Sequence, residues 1–298
     1  MKNTLFFTCL IFFLSVSVVF AQKEALRNDI FKITQSKKAD VGISIAGMES
    51  RDTLSVNGQK HYPMQSVFKF HIALVVLNDV DKGLLSLDQK IKIEKQDLMP
   101  NTWSPIREDF PNGTTLTLAE ILKYTVSQSD NIGCDILLTL VGGTKTVNAY
   151  FQKHHFKDIS IQATEADMHK DWDTQFSNWT SPIETGNLLK AFYNRKLLSV
   201  KSNDFLWKIM ADTSTGKKRI KGQLPEGTVV AHKTGSSGTN EKGITAAVND
   251  IGIVTLPNGK HFSISVFVSN SSENMETNEK IIADLTELAW DYFVKKMD

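Results

Sequence analysis

Sheet-forming segments lie at both ends of this 298-residue sequence, with a long helical stretch between them, and that arrangement restricts the folds open to it. Near the N-terminus, Val41-Gly42-Ile43-Ser44-Ile45-Ala46 alternates as a strand, and Thr53-Leu54-Ser55-Val56 before Asn57-Gly58 reads as its hairpin neighbour. Beyond residue 228, strands are predicted over 229–234, 244–249, 251–255 and 261–268, with Pro257-Asn258-Gly259 as a turn. Helical periodicity appears at residues 24–34 and 68–80, and again near the C-terminus from Ile281 to Phe293. Thr117-Leu118-Ala119-Glu120 is a capping box, another helix runs from Ile132 to Leu140 and stops at Gly142-Gly143, and Ser181-Pro182-Ile183-Glu184 opens one more. Strands from the two termini bury their apolar faces most simply by pairing in one antiparallel sheet. The expected class is therefore α+β, with flanking helices and an inserted, mainly helical lobe. We read residues 22–298 as one domain of two lobes, an α/β lobe from about 22–62 and 206–298 and a helical lobe from about 63–205. The cleft between the lobes is the natural place for chemistry. Residues 144–180 are the least regular stretch.

The first residues are a basic start and an apolar run ending Val19-Phe20-Ala21, which reads as a secretory signal cut near Ala21 rather than a permanent span. Export to the periplasm without a stable membrane anchor is the expectation. With Lys2 and Cys9 gone, the 34 basic residues fall to 33, equal to the 33 acidic ones, which argues against a nucleic-acid footprint. Cys134 is then the only cysteine, so no intramolecular disulfide is expected and core packing must hold the fold. The seven histidines show no His-x-His or His-Glu-x-x-His spacing, so no metal or other cofactor is called for. No interface patch is evident, and a monomer is expected.

Three short motifs carry the chemistry. Ser66 and Lys69, three apart at the start of an apolar helix, share one face, so the lysine can take the serine's proton. Ser129-Asp130-Asn131 offers a hydroxyl to relay a proton and an amide to hold a carbonyl, with Asp130 orienting the backbone. Lys233-Thr234-Gly235, on a strand and followed by Ser236-Ser237, suits a substrate carboxylate, and Gly235 would let a ligand approach the strand edge. Backbone N–H groups of Ser66 and Ser236 can form an oxyanion hole, in which one donor is worth about 3 kcal/mol. Each motif alone is a common helix cap or loop; their joint order is not.

In that order and context the chain resembles the class A β-lactamases over essentially its whole mature region. The resemblance implies the β-lactamase/transpeptidase-like fold, small-molecule β-lactams and a catalytic water as partners, and hydrolysis through an ester on Ser66. It implies that Glu165, in Ala163-Thr164-Glu165, activates the deacylating water, and Thr180-Ser181-Pro182 lies at the family's distance beyond it. The loop departs from the family pattern: Met168-His169 replaces the usual Leu-Asn, and Ala163 and Asn178 stand where an arginine–aspartate pair normally braces it. Such departures resemble a divergent branch of extended-spectrum, Bacteroides-type cephalosporinases, and imply a looser or rearranged loop and a bias toward cephalosporins. By the same resemblance Trp103 flanks the cleft mouth, small Ser237 leaves room for bulky side chains, and Arg219 replaces the usual carboxylate-binding arginine, where this chain has Thr245. A D-alanyl-D-alanine carboxypeptidase, a β-lactam sensor and a non-enzymatic peptidoglycan binder remain open at this point, and Lys69 and Glu165 both remain candidates for the acylation base.

Overall fold

The computed structural model describes residues 21–296; the leader expected over residues 1–21 lies outside them except for Ala21. Residues 21–35 form α1. Strands β1 (Asp40–Gly47) and β2 (Thr53–Val56) make a hairpin, and β3 (Tyr62–Pro63) leads through a 3-10 turn, Gln65–Val67, into α2 (Phe68–Asp81). Strand β4 (Lys90–Glu94), the short α3 (Pro105–Asp109) and β5 (Gly113–Thr117) precede α4 (Leu118–Ser127), α5 (Asn131–Leu140) and α6 (Gly143–Lys153). Then come β6 (Ile159–Ser160), α7 (Glu165–Lys170), β7 (Trp179–Thr180), α8 (Pro182–Tyr193) and α9 (Val200–Ala211). The chain finishes with β8 (Val230–Ser236), β9 (Thr245–Thr255), β10 (His261–Ser271) and α10 (Met275–Val294).

The main sheet has the order β2-β1-β10-β9-β8 and is antiparallel throughout. Pairing of β1 with β10, with Val41 opposite Val268 and Ile43 opposite Val266, joins the two chain ends as the sequence predicts. Side chains alternate between two cores. Val248 and Val254 of β9 pack with Leu26 and Ile30 of α1 and Ile281 and Leu285 of α10. Ile251 and Ile253 turn the other way, into the helical core. Every residue of α2 from Phe68 to Leu77 is buried, as expected of a helix that is apolar around its circumference and enclosed by its neighbours. Each such aliphatic or aromatic side chain contributes about 1.5–3 kcal/mol of burial. Among the described residues no helix is long and apolar enough to cross a membrane.

Two local expectations are corrected. The strands predicted at 244–249 and 251–255 are one continuous β9, in which Asn249 Nδ2 and the Asp250 carboxylate find partners within the fold while Asn249 Oδ1 has none. Asn249 Nδ2 donates to Pro63 O at 2.8 Å, and Asp250 faces His232 Nδ1 at 3.0 Å, so no turn is needed to solvate them. Within 144–180, the stretch predicted to be least regular, α6 is a regular helix that starts after Gly142 at φ 86°. Capping behaves as read at Thr117, where both halves of the box form. At Ser181 only the serine half forms: its Oγ accepts from Glu184 N, while Glu184 instead accepts from Lys157 N and Asp158 N.

His71, in the middle of α2, is fully buried between Phe70 and Phe151, with Nε2 unpartnered. Desolvation lowers its pKa from 6.5 to about 4. The unfolded chain therefore binds this proton first as pH falls below 6.5, so stability drops between pH 6.5 and about 4 by up to about 3 kcal/mol. We expect His71→Leu to remove that share of the acid destabilisation. Denaturant unfolding of both proteins at pH 4.5 and 7.5 checks it: the gap between the two pH values should be smaller in the variant.

Candidate active site

The 3-10 turn before α2 presents Ser66, and the residues that precede it are held from two sides. Gln65 has φ 48°, a left-handed conformation that costs about 1–3 kcal/mol and must be enforced by its surroundings. Its Nε2 donates to Gln175 Oε1 at 2.5 Å, and Gln175 Nε2 donates to Trp172 O at 2.7 Å. On the other side, Asn249 Nδ2 donates to Pro63 O and Met64 O. Strand β8 lies so close to this turn that a Cβ on Gly235 would meet Met64 O at 2.5 Å. The contact between strand and turn therefore excludes a side chain at Gly235, which also lines the cavity.

Lys69, one helical turn from Ser66, is fully buried and surrounded by oxygen. Its Nζ donates to Ser66 Oγ at 2.7 Å, to Asn131 Oδ1 at 2.6 Å and to Ser129 O at 3.2 Å, and lies 2.6 Å from Glu165 Oε1. Burying an ammonium is tolerable only with such partners. Ser129 has φ 62°, and its Oγ accepts from Lys233 Nζ at 2.9 Å. Burial, reinforced by the charge of Lys69, holds the Lys233 ammonium well below the ordinary lysine range. Asp130 does what its place in the motif suggests: it caps α5 through Gly133 N at 2.7 Å, and accepts from Ser104 Oγ and Ile106 N, both at 2.8 Å.

Glu165 is buried at the first position of α7. Its backbone N–H and that of Ala166 donate to the two oxygens of Asp135, at 2.8 and 3.0 Å. Asp135 was not singled out from sequence, although it lies four residues after Asn131 and thus on the same face of α5. Desolvation pushes its pKa from 3.8 up to about 6, and the charge of Glu165 adds to the effect. Folding therefore favours its protonated form, and the stability linked to this group falls as pH rises from 3.8 through about 6. At the neck of the same loop, Asn178 Oδ1 accepts from Gln162 N at 2.7 Å and Ala163 N at 2.9 Å, while its Nδ2 donates to Ala163 O at 2.9 Å. One buried amide thus ties the positions that the resemblance left without an ion pair.

Ser66, Ser129, Asn131, Glu165, Thr234, Ser236 and Ser237 line a single cavity of about 640 Å³. Trp103 stands exposed at its mouth, fixed by Nε1 donating to Gln128 O at 2.9 Å. His169 is exposed on the opposite wall beside Met168 and Trp172, the last unmarked by any sequence motif. Thr234 Oγ1 lies 2.6 Å from Thr215 Oγ1. Arg219 is buried under the strand edge, where it donates to Gly235 O at 3.0 Å, Asn249 O at 2.9 Å and Ser236 Oγ at 2.7 Å, and pairs with Glu279 at 3.2 Å. The Ser237 hydroxyl is turned toward Gly238 O and Ala247 O. Cys134 is buried behind the cavity, and burial pushes its thiol up, which keeps it neutral and unreactive. Among the described residues no cluster of metal-ligating side chains is found.

Comparison with known proteins agrees with this geometry. The model of the β-lactamase enzyme family matches residues 23–293. The β-lactamase VEB-1 of Pseudomonas aeruginosa is 56% identical over 278 residues, covering 93% of each chain. A β-lactamase of Bacteroides uniformis is 41% identical over 96% of this chain and 95% of its own. The crystal structure of TLA-1, an extended-spectrum β-lactamase, superposes with a TM-score of 0.90 at 55% identity, over 91% of this chain and 99% of that one. The chain therefore belongs to the β-lactamase enzyme family and is a serine β-lactamase of class A.

Proposed function

We propose that this enzyme opens the β-lactam amide of cephalosporins and penicillins through an ester on Ser66, and that it works in the periplasm as a monomer. The observation that carries the acyl-enzyme reading is the unbroken contact from Ser66 Oγ through Lys69 Nζ to Glu165 Oε1, at 2.7 and 2.6 Å. This contact brings the amine within proton-transfer distance of both the nucleophile and the carboxylate.

In the first half-reaction, Ser66 Oγ attacks the lactam carbonyl and releases its proton to the Lys69–Glu165 pair. Negative charge develops on the carbonyl oxygen, where the N–H groups of Ser66 and Ser236 receive it. As the carbon–nitrogen bond breaks, Ser129 Oγ gives its proton to the nitrogen and takes one from Lys233, whose depressed pKa makes it the better acid. The proton taken from Ser66 then passes from the Lys69–Glu165 pair through cavity water to Lys233, which restores both cations and leaves Glu165 ionised for the second half-reaction. Thr234 faces the substrate carboxylate from the cavity wall, with Lys233 buried behind it and Arg219 beneath adding positive charge through Ser236. Asn131, held by Thr102 Oγ1 at 2.7 Å, is placed to donate to a side-chain carbonyl of the substrate.

In the second half-reaction, Glu165 takes a proton from water, the hydroxide attacks the ester, and the proton returns to Ser66. Asp135 and Asn178 position the loop that carries this carboxylate. His169, four residues beyond Glu165, replaces the usual asparagine at the cavity wall. A cavity of about 640 Å³ and the small Ser237 support a preference for bulky cephalosporins. Export rests on the basic and apolar leader ending at Ala21.

Two outcomes are expected. Glu165→Gln, mixed with a chromogenic cephalosporin and followed by intact mass, should accumulate an adduct on Ser66 while turnover falls by about 10²- to 10⁴-fold. A long-lived adduct on the unmodified enzyme would instead indicate a penicillin-trapping protein. Asp135→Asn offers one carbonyl oxygen to two backbone N–H groups, leaving one unsatisfied at a cost of about 1–3 kcal/mol. Stopped-flow should then show an undiminished first turnover followed by steady-state hydrolysis about tenfold slower, as expected when only deacylation is disturbed.

A further inference from the structure

Outside the catalytic cavity, a second cavity of about 470 Å³ opens between α5, β4 and α7. Its walls are apolar, made by Ile91, Met99, Ile132, Ile136 and Leu140, and its volume lies in the range of small-molecule sites. Asp135 and Ala166 also line it, so it abuts the carboxylate that grips the first turn of α7. That carboxylate is held by two backbone N–H groups and, among the described residues, by no paired cation. Desolvation makes the missing counter-charge costly. At the rim, Lys92 is engaged with Glu94 at 2.7 Å, while Asp97 contributes another acid. The cavity thus combines apolar walls with unneutralised negative charge. The catalytic cavity has the opposite preference, since Thr234 and Arg219 line it, with Lys233 buried behind Thr234, and together suit an anion.

We infer that this second cavity binds a small amphipathic cation, an amine carrying an aromatic or aliphatic body, and that its occupation acts on Glu165 from outside the catalytic cavity. The ammonium hydrogen-bonds to Asp135 while the apolar body covers Ile136 and Leu140. Because the same two oxygens hold Glu165 N and Ala166 N, the ligand draws on the interaction that positions α7. The coupling rests on the reading of Glu165 as the deacylating base; the binding site itself does not.

Phenethylammonium is a suitable probe and 2-phenylethanol its neutral counterpart. Titrated into isotopically labelled full-length mature enzyme, the amine should shift the amide resonances of Ile136, Leu140 and Ala166, and the alcohol should bind about tenfold more weakly. Thr139→Trp, at an exposed rim position, should abolish these shifts while cephalosporin turnover persists. Should that variant not fold, Lys92→Trp blocks the cavity from the opposite rim. In cephalosporin hydrolysis the amine should lower kcat and KM together with kcat/KM unchanged, as slower deacylation requires. Shifts confined to Ser66, Ser129 and Ser236, equal binding of the alcohol, or binding unaffected by the rim variants would overturn the site. A rise in KM alone, or binding with unchanged turnover, would overturn the coupling. If the protein hydrolyses no β-lactam at all, the titration still decides the binding site, so the two readings fail separately.

Discussion

The buried ammonium of Lys69 is the interaction on which this structure is arranged. A lone cation at that depth would be costly, and it is tolerated because four oxygens from three segments converge on it: Ser66 Oγ, Asn131 Oδ1, Ser129 O and Glu165 Oε1. The reverse also holds. These segments, the turn before α2, the loop before α5 and the first turn of α7, are brought together by a common charge, so the ammonium that contacts Ser66 also assembles the site around it. A second cation, Lys233, repeats the arrangement from the strand side through Ser129.

Around this centre, rigidity comes from polar side chains facing inward. Asp130 joins α5 to the start of α3, Asn249 joins β9 to the chain before Ser66, Asn178 closes the neck of the loop, and Asp135 caps α7. Each is a short side chain whose acceptors or donors match backbone groups that would otherwise be buried without partners. The family's usual ion pair at the loop neck is thereby replaced by a neutral amide that makes three short hydrogen bonds and carries no charge-burial cost. The departure in sequence is a change of fastening, and the loop is closed by it.

Much of this was legible in the sequence. The α+β class followed from strands at both ends, and Ser66, Lys69, Ser129, Asn131, Lys233 and Thr234 were marked by motif order. Asp135 was not, because a carboxylate one turn past a motif has no local signature; only the packing of α7 on α5 gives it two N–H groups to accept. Gln65, Gln175 and Trp172 were missed for the same reason, since their contacts link segments more than a hundred residues apart or surround a cavity that exists only after folding. Gly235 was noticed for ligand approach and its contact with the turn was not, because a ligand and a neighbouring turn make the same demand for a missing Cβ.

What the sequence determined by itself was everything carried by periodicity and short-range chemistry. Alternation paired the ends into one sheet, capping residues set helix starts at Thr117 and Ser181, and the spacing of Ser66 and Lys69 put both on one helical face. These depend on dihedral preferences and contacts within a turn or two, which a sequence expresses directly. Only the tertiary structure decided the rest: that Asn249-Asp250 continues a strand, that a single amide replaces an ion pair, and that Glu165 reaches Lys69. Burial is what settles such cases, because a polar group's free energy depends on whether water or a partner surrounds it, and the partner here comes from a distant part of the chain.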